Sequence, residues 1–259
     1  MLFPKITVIT ICFNIGNELE QTIKSVIGQS YPNIEYIIID GGSTDDTMAV
    51  LKRYKDNISL IVSEPDKGVY DAMNKGVRLA TGDYVNFMNG GDSFSNSEVL
   101  TTLFSDLANL DYDVVFGDTI NCYGWGRVRK RGGYYNEHSI HMPFGHQSVF
   151  VRTNLLKANP FDLSYKIQAD NNTMFSLYKQ GYSFAHVSVD VADYDMYGLS
   201  NNVLGIYNEA CRIHNITGVK YYVGYVKCRV LSFALKYLPE KFINTYQKIK
   251  YSKDIIDNQ

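Results

Sequence analysis

The chain has 259 residues, of which 45% are hydrophobic and 20% are charged, and its formal net charge is -2. This length accommodates one large domain, or one domain with an appendage, and the hydrophobic fraction excludes a largely disordered chain. The near-neutral charge excludes a general nucleic-acid binder, whose binding domain is usually strongly basic.

Alternating apolar runs and polar loops predict a strand–helix rhythm over the first 92 residues. The predicted strands lie at 5–12, 34–39, 58–62 and 83–88, and the predicted helices at 17–29, 44–54 and 70–80. This rhythm predicts an α/β fold with a Rossmann-like, mostly parallel sheet that helices flank on both faces. Ligands of such sheets bind beyond the carboxyl ends of the strands. Asn14, Asp40, Asp66 and Asp92 fall in those loops, so we expect a nucleotide-sized ligand there.

After Asp92 the rhythm changes. The predicted elements are a helix at 98–110, a strand at 113–117, a polar loop or hairpin at 122–133, a strand at 148–151 and a helix at 169–180. From about residue 220 the character changes again. We therefore predict a main domain, 1–219, and a helical C-terminal appendage, 220–259.

The four cysteines and the N-terminus bear on the compartment. Cys12, Cys122, Cys211 and Cys228 form no CxxC pair, which disfavours a metal site and fits free thiols in a reducing cytosol. The first residues, MLFPK, lack the basic start and apolar stretch of a signal peptide. No segment approaches the roughly 18 uninterrupted apolar residues of a membrane span. We therefore expect a cytoplasmic protein.

Two acidic loops suggest the chemistry of the ligand. Asp40, within IIIDGGSTDDT, can accept a hydrogen bond from a base imide, although Asp-Gly clusters also simply initiate turns. The stretch SEPDKGVYDAMNKGVRLATGDYVNFMNGGD, residues 63–92, carries Asp66 before a helix and Asp92 after the next strand. Such carboxylates suit a divalent cation that bridges a diphosphate, because hard cations prefer oxygen ligands. A tight turn is the alternative interpretation of Asp92.

These segments resemble the family 2 glycosyltransferases with a GT-A fold, in particular the bacterial branch that builds O-antigen, capsule and exopolysaccharide. The matching pieces are TVITICFN, IIIDGGSTDDT, the 63–92 stretch, PFGHQSVFVR at 143–152, IQAD at 167–170 and YGLSNN at 197–202. Together they span about residues 5–202. The stretch 63–92 is the most specific of them.

The resemblance implies a role for each matching position. It implies a nucleotide site at Thr10, Phe13, Asn14, Asp40, Asp66 and Asn74. It also implies Mg²⁺ or Mn²⁺ at Asp92, the donor sugar or acceptor at His146 and Gln147, and the catalytic base at Asp170. The implied reaction is an inverting transfer from a nucleotide sugar, with UDP-sugars as the expected donors. The implied acceptor is a lipid-linked saccharide of cell-surface polysaccharide biosynthesis.

The pattern departs from the family at two places. NGGD has one carboxylate where relatives have two or three, and Met73 replaces the arginine that many relatives place before the helix asparagine. Asp170 also suits a helix N-cap, and His146 also suits a buried structural histidine. A catalytically silent nucleotide-sugar binding module would fit the sparse acidic motif. A sugar nucleotidyltransferase is disfavoured, because the first loop, CFNIGNE, lacks the Arg and Lys that such an enzyme carries there.

Two basic segments complete the sequence pattern. Arg127, Arg129, Lys130 and Arg131 either meet phosphate or anionic lipid or lie in a solvated loop. Residues 220–253 carry eight Lys and Arg against one acid, with apolar residues at helical spacing before Pro239. This segment either lies on the anionic inner face of the cytoplasmic membrane or packs on the main domain with its lysines solvated.

Overall fold

Apolar, β-branched runs form the first four strands of a ten-stranded sheet. The structure, a computed structural model, describes residues 3–105, 111–195 and 202–256. Its first half consists of β1 Ile6–Cys12, α1 Gly16–Ile27, β2 Ile34–Asp40, α2 Thr47–Tyr54, β3 Leu60–Ser63, α3 Val69–Leu79 and β4 Tyr84–Phe87. β1 pairs in parallel with β2 and β4, and β2 pairs in parallel with β3. The predicted α/β fold is confirmed.

The second half of the sheet is mostly antiparallel. It consists of β5 Ser93–Phe94, α4 Val99–Phe104, β6 Val114–Tyr123, β7 Gly126–Lys130, β8 Val149–Arg152, α5 Thr153–Ala158, α6 Ala169–Lys179 and β9 Phe184–Asp195. β8 runs antiparallel to both β4 and β6, while β9 runs parallel to β6. The segment predicted as a loop or hairpin is the β6–β7 hairpin.

Two predicted segments extend beyond the described residues. The helix predicted at 98–110 is seen as α4, and 106–110 lie outside the described residues. All but the last residue of YGLSNN lies outside them as well.

The C-terminal part is helical and returns to the sheet at its end. It consists of α7 Val203–Ile213, α8 Gly218–Tyr237, α9 Glu240–Lys250 and β10 Ile255–Ile256. Pro239 separates α8 from α9, and β10 pairs antiparallel with β7. Neither α8 nor α9 contains a buried residue. None of the helices in the described ranges has both the length and the apolar character that crossing a bilayer requires.

Two hydrophobic clusters cover the two faces of the sheet. Ile9 and Ile37 belong to the cluster that includes Met73 and Val77 of α3. Val8 and Ile38 point to the opposite face and belong to the cluster of α1 and α4 residues. Alternate residues of a strand face opposite sides, so burial on both faces requires an uninterrupted apolar run. This packing fixes the strand ends, from which the loops of the site extend.

Candidate active site

The loops after β1, β2 and β4 lie together at one edge of the sheet. The amide of Gly41 donates to the carbonyl of Cys12 at 2.9 Å, and that of Gly90 donates to Ile11 at 3.1 Å. The parallel register therefore brings the first, second and fourth strand ends into one surface, as the sequence predicts.

Asp40 organises the loop that follows β2. The carboxylate is buried and accepts from the amides of Gly42 and Ser43 at 3.2 and 3.0 Å and from the hydroxyl of Ser63 at 2.6 Å. The hydroxyl of Ser43 donates to Oδ1, the other carboxylate oxygen of Asp40, at 2.5 Å. The carboxylate thus holds the loop, in line with the turn interpretation of this motif, and fixes the backbone of Gly41.

Thr10 and Asn74, both implied in the nucleotide site, are buried and bonded within the protein. The Thr10 hydroxyl donates to the carbonyl of Met88 at 2.7 Å. The side-chain amide of Asn74 exchanges two 2.9 Å hydrogen bonds with the backbone of Phe161. The structure therefore places these two residues beneath the surface. Thr10 joins β1 to the residue after β4, and Asn74 joins α3 to the loop that contains Phe161.

Phe13, Gly41 and Asp66 lie close together beside the first loop. The ring of Phe13 is 58% exposed. A Cβ atom on Gly41 would lie 2.6 Å from Oδ2 of Asp66 and 3.3 Å from Cδ2 of Phe13. Asn14, at a φ of 52°, accepts from the amide of Thr44 and keeps this loop against the next one. A flat ring can stack on Phe13 here while its N–H donates to Asp66.

Asp92 lies in a tight turn after β4. Its Oδ2 accepts a 2.8 Å hydrogen bond from Nε2 of Gln147, and only 6% of the residue is exposed. Within the same turn, Oδ1 of Asn89 is buried and has no hydrogen-bond partner among the described residues. No group of three His, Cys, Asp or Glu converges anywhere in the described ranges. The carboxylate of Asp92 and the unpartnered amide oxygen of Asn89 are oxygen donors of the kind that Mg²⁺ or Mn²⁺ prefers.

Asp170 stands in the first turn of α6, where Gln168 occupies the N-cap position. The hydroxyl of Tyr70 donates to the carbonyl of Ile167 at 2.6 Å and lies 3.0 Å from Oδ1 of Asp170. Burial and the neighbouring Asp170 charge raise the pKa of Tyr70, so its hydroxyl stays protonated and acts as a donor.

His146 is a buried neutral ring beside that carboxylate. It stacks on Phe87 at 5.3 Å between ring centroids, and its Nδ1 lies 3.4 Å from Oδ2 of Asp170. Neither ring nitrogen has a hydrogen-bond partner among the described residues. Burial lowers the pKa of His146, while the Asp170 charge opposes this shift. A neutral histidine forms no ion pair with the Asp170 carboxylate.

Glu209 holds the loop before Asp170, and the sequence interpretation missed it. Its carboxylate accepts from the backbone amides of Lys166, Ile167 and Gln168 at 2.8, 3.0 and 2.9 Å. Glu209 lies in α7, about 40 residues away in sequence. No motif surrounds it, so no local pattern could have revealed this contact.

Two of the four basic residues at 127–131 pair with carboxylates of β9, and a third, Lys130, is influenced by the charge of Asp170. Arg127 and Arg129 pair with Asp193 and Asp190 on β9 at 2.5 and 2.6 Å, and so brace the hairpin. Surrounding protein lowers the pKa of Lys130, whereas the charge of Asp170 opposes this shift. Lys130 therefore supplies positive charge beside the candidate base.

Carboxylates at the strand ends of a helix-covered sheet define a nucleotide-binding α/β protein of the kind in which ligands occupy that edge. The model of Glycosyl transferase family 2 matches residues 7–167. A PGL/p-HBAD biosynthesis glycosyltransferase of Mycobacterium tuberculosis is 30% identical over 216 residues, which cover 79% of this chain and 82% of that protein. An uncharacterized glycosyltransferase of that species is 35% identical over 181 residues, 64% of this chain and 66% of that one. The chain belongs to the family 2 glycosyltransferases.

Solved structures share the fold. S. aureus TarS 1–349 in complex with UDP has a TM-score of 0.64 at 19% identity over 81% of this chain and 64% of that chain. A mannosyltransferase of Pyrobaculum calidifontis, in complex with GDP-Man and Mn²⁺, has a TM-score of 0.62 at 17% identity over 88% and 69% of the two chains. The GT-A architecture expected from the sequence is therefore confirmed, whereas the O-antigen and capsule branch stays a prediction.

Proposed function

We propose that this glycosyltransferase moves a sugar from UDP to a hydroxyl of a lipid-linked saccharide, with inversion, in cell-surface polysaccharide biosynthesis. One observation carries the proposal: His146 and Gln147, adjacent in sequence, contact two different carboxylates. His146 lies 3.4 Å from Asp170, and Gln147 bonds to Asp92 at 2.8 Å. A displacement reaction needs its base and its leaving-group site on opposite sides of one sugar, and this dipeptide lies between the two carboxylates.

The neighbouring side chains of Phe13 and Asp66 support a uracil-containing donor. A uracil ring is flat and carries one imide N–H. Phe13 offers an exposed ring, and Asp66 offers a carboxylate oxygen beside Gly41. Asp40 contributes indirectly, because its hydrogen bonds hold the backbone of Gly41 in place. UDP is bound in the structure of TarS, which is a different protein with the same fold.

A divalent cation would be held by Asp92, with Asn89 as the second oxygen donor. When bound, such an ion neutralises the charge that develops on a leaving diphosphate. The buried and unpartnered Oδ1 of Asn89 supports this assignment. Lys130 supplies further positive charge near Asp170.

Asp170 acts as the general base in this proposal. As the acceptor oxygen attacks the anomeric carbon, its proton passes to the carboxylate and the bond to the diphosphate breaks. A single displacement of this kind inverts the anomeric centre. Tyr70 and the amide of Asn171 orient Asp170, at 3.0 and 2.8 Å. General-base help of this kind is typically worth roughly 10²–10⁴-fold in rate.

The acceptor is assigned from the C-terminal helices. A lipid-linked saccharide is supported by the basic and apolar character of α8 and α9. We infer that the enzyme works in the cytoplasm, peripherally attached to the inner face of the cytoplasmic membrane.

Hydrolysis of the donor tests the reaction. The purified chain is incubated with UDP-, GDP- and dTDP-sugars with and without Mn²⁺, and nucleotide release is followed. We expect slow, Mn²⁺-dependent release of UDP that Asp92→Asn and Asp170→Asn each reduce by about 10²-fold or more. Asp56→Asn, at an exposed residue in the turn that follows α2, is the matched control.

The same samples distinguish the alternatives. Release that neither Asp92→Asn nor Asp170→Asn affects would contradict the assigned roles. Calorimetric binding of one donor without turnover on any acceptor would favour a silent binding module. No binding of any donor would contradict the nucleotide site itself.

A further inference from the structure

Helix α8 presents a continuous apolar stripe to solvent. The stripe recurs every three or four residues along one side of the helix and consists of Val219, Tyr222, Val223, Val226, Val230, Phe233 and Tyr237. Each of these side chains is between 51% and 80% exposed. In the first half of α8 the opposite side, which carries Tyr221, Gly224 and Cys228, is half-buried, and Tyr207 of α7 donates to the carbonyl of Tyr221 at 3.0 Å. The stripe therefore faces away from the main domain.

Basic residues border the α8 stripe on both sides. At 3.6 residues per turn, Lys220 and Lys227 lie along one border and Arg229 and Lys236 along the other. Helix α9 repeats the arrangement: Phe242, Tyr246 and Ile249 are 63–71% exposed, and three lysines accompany them, Lys241, Lys248 and Lys250. Residues 218–253 hold eight Lys and Arg against one acid, although the whole chain has a net charge of -2.

We infer that the α8 stripe and the exposed face of α9 bind the surface of an anionic lipid bilayer. An in-plane helix buries its apolar face about 5–10 Å into the boundary between headgroups and acyl chains, while its basic residues meet the phosphates. Lys and Arg that border an apolar stripe can reach that level with their long side chains. Tyrosines such as Tyr222 and Tyr237 suit the same interface, since their rings are apolar and their hydroxyls polar.

The distribution of charge selects a membrane over a second copy of the chain. Two copies packed stripe to stripe would bring their Lys and Arg borders together, and like charges in close contact are unfavourable. Anionic headgroups neutralise the same borders. The remainder of the chain is acidic overall, since the whole chain is at -2 despite this basic segment. An anionic surface therefore attracts α8 and α9 and repels the rest of the protein, which fixes the orientation.

This inference rests on the surface alone and supports the peripheral location proposed above. Binding of the full-length chain is measured by co-sedimentation with phosphatidylcholine vesicles that contain either 30% or no phosphatidylglycerol, at low and high salt. We expect binding only with the anionic lipid, and a steep loss of binding in high salt. Val226→Asp/Val230→Asp, in the centre of the stripe, should reduce binding about tenfold or more.

Two matched variants isolate the surface from general effects of substitution. Met48→Asp/Leu79→Asp replaces two apolar residues that are 40% and 41% exposed on other helices, and should leave binding unchanged. Lys220→Gln/Lys227→Gln should weaken binding several-fold. Lys52→Gln/Lys55→Gln, at exposed lysines of α2 and its following turn, should not.

Every other outcome overturns the inference. Equal binding to neutral and anionic vesicles, absence of binding, or unchanged binding of Val226→Asp/Val230→Asp would each do so. A dimer in light scattering that this variant converts to a monomer, without vesicle binding, would identify a second copy as the occupant. Donor hydrolysis by the same samples is scored separately. Hydrolysis without vesicle binding refutes only the membrane surface, and vesicle binding without hydrolysis or donor binding counts only against the proposed reaction.

Discussion

The side-chain amide of Gln147 donates a 2.8 Å hydrogen bond to Oδ2 of Asp92, and both residues are 94% buried. Gln147 belongs to the short 3₁₀ turn His146–Ser148, which also carries the ring that contacts Asp170. Because one turn contacts both carboxylates, a shift of this turn alters the candidate metal site and the candidate base together.

Replacing Gln147 tests this link. Gln147→Leu removes the donor from a buried carboxylate and leaves the side-chain volume similar. We expect the Mn²⁺ concentration for half-maximal donor hydrolysis to rise about tenfold or more, as for other residues that orient a metal ligand. A Mn²⁺ titration of UDP-sugar hydrolysis measures the change. Gln180→Leu, at an exposed glutamine that bonds only to Ser176, should leave the titration unchanged; a similar shift there would contradict the interpretation.

Gly41 allows the Asp66 carboxylate to lie beside the loop backbone. A Cβ atom on Gly41 would come within 2.6 Å of Oδ2 of Asp66, so in Gly41→Ala the flexible carboxylate must move while the core stays intact. We expect the KM for the UDP-sugar to rise about tenfold with little change in thermal stability. Gly133→Ala is the matched control, because its Cβ would make only ordinary contacts at 3.5 Å. Equal KM values for the two variants would argue against Phe13 and Asp66 as the binding site of the uracil ring.

Glu209 stabilises the loop that presents Asp170. In Glu209→Gln, the charge that three backbone amides share is lost, and one of the two accepting oxygens becomes a donor. We expect the free energy of unfolding to fall by about 1–3 kcal/mol, and kcat to fall more than the donor affinity. Denaturant titration and steady-state kinetics measure the two effects. Glu137→Gln, whose side chain is 85% exposed, should change neither; an unaffected kcat in Glu209→Gln would refute the positioning role.

Three histidines whose pKa is lowered in the folded protein predict an acid-sensitive fold. Desolvation by the surrounding protein lowers the pKa of His146, His141 and His214. The unfolded chain therefore takes up protons first, from about pH 6.5 downward, and the free energy of unfolding falls as the pH drops toward the lower folded values. Denaturant midpoints at pH 7.5 and 5.5 measure the loss.

One substitution tests the share of His146 in that loss. His146→Phe keeps a ring beside Phe87 and Phe161 but removes the titrating group, so the difference between the two midpoints should shrink. His138→Gln, at a side chain that is 87% exposed, should leave the difference as in the unaltered protein. An unchanged difference in His146→Phe would show that the ring does not contribute.

The local sequence pattern predicted the central strands because strands that are buried on both faces consist of uninterrupted apolar runs. All seven residues of β1 are buried, and its apolar run ends where the strand ends. Strand β9 escaped prediction, although Val187, Val189 and Val191 alternate with Ser188 and Asp190 as in a half-buried strand. Two carboxylates of β9 are paired with arginines of the neighbouring hairpin. Such pairing depends on a partner distant in sequence, which periodicity does not reveal.

The site shows the same division. Motif order identified the loops of Asp40, Asp66, Asp92 and Asp170, but it could not assign the direction of each side chain. Thr10 lies in a loop-proximal position of β1, yet its side chain points to the interior and bonds to Met88. The contact of Glu209 with the 166–168 loop depends on how α7 packs, so it required the structure.

The short strand β10 has a consequence for the behaviour of the protein in concentrated solution. A sheet exposes unpaired backbone groups at its outermost strands, and long, flat outermost strands recruit other chains. Here those positions are taken by β3, with four residues, and by β5 and β10, with two each. β10 covers part of β7, whose five residues would otherwise be outermost. Ile255 and Ile256 thus reduce the length of β7 that is free to pair with a strand of another chain.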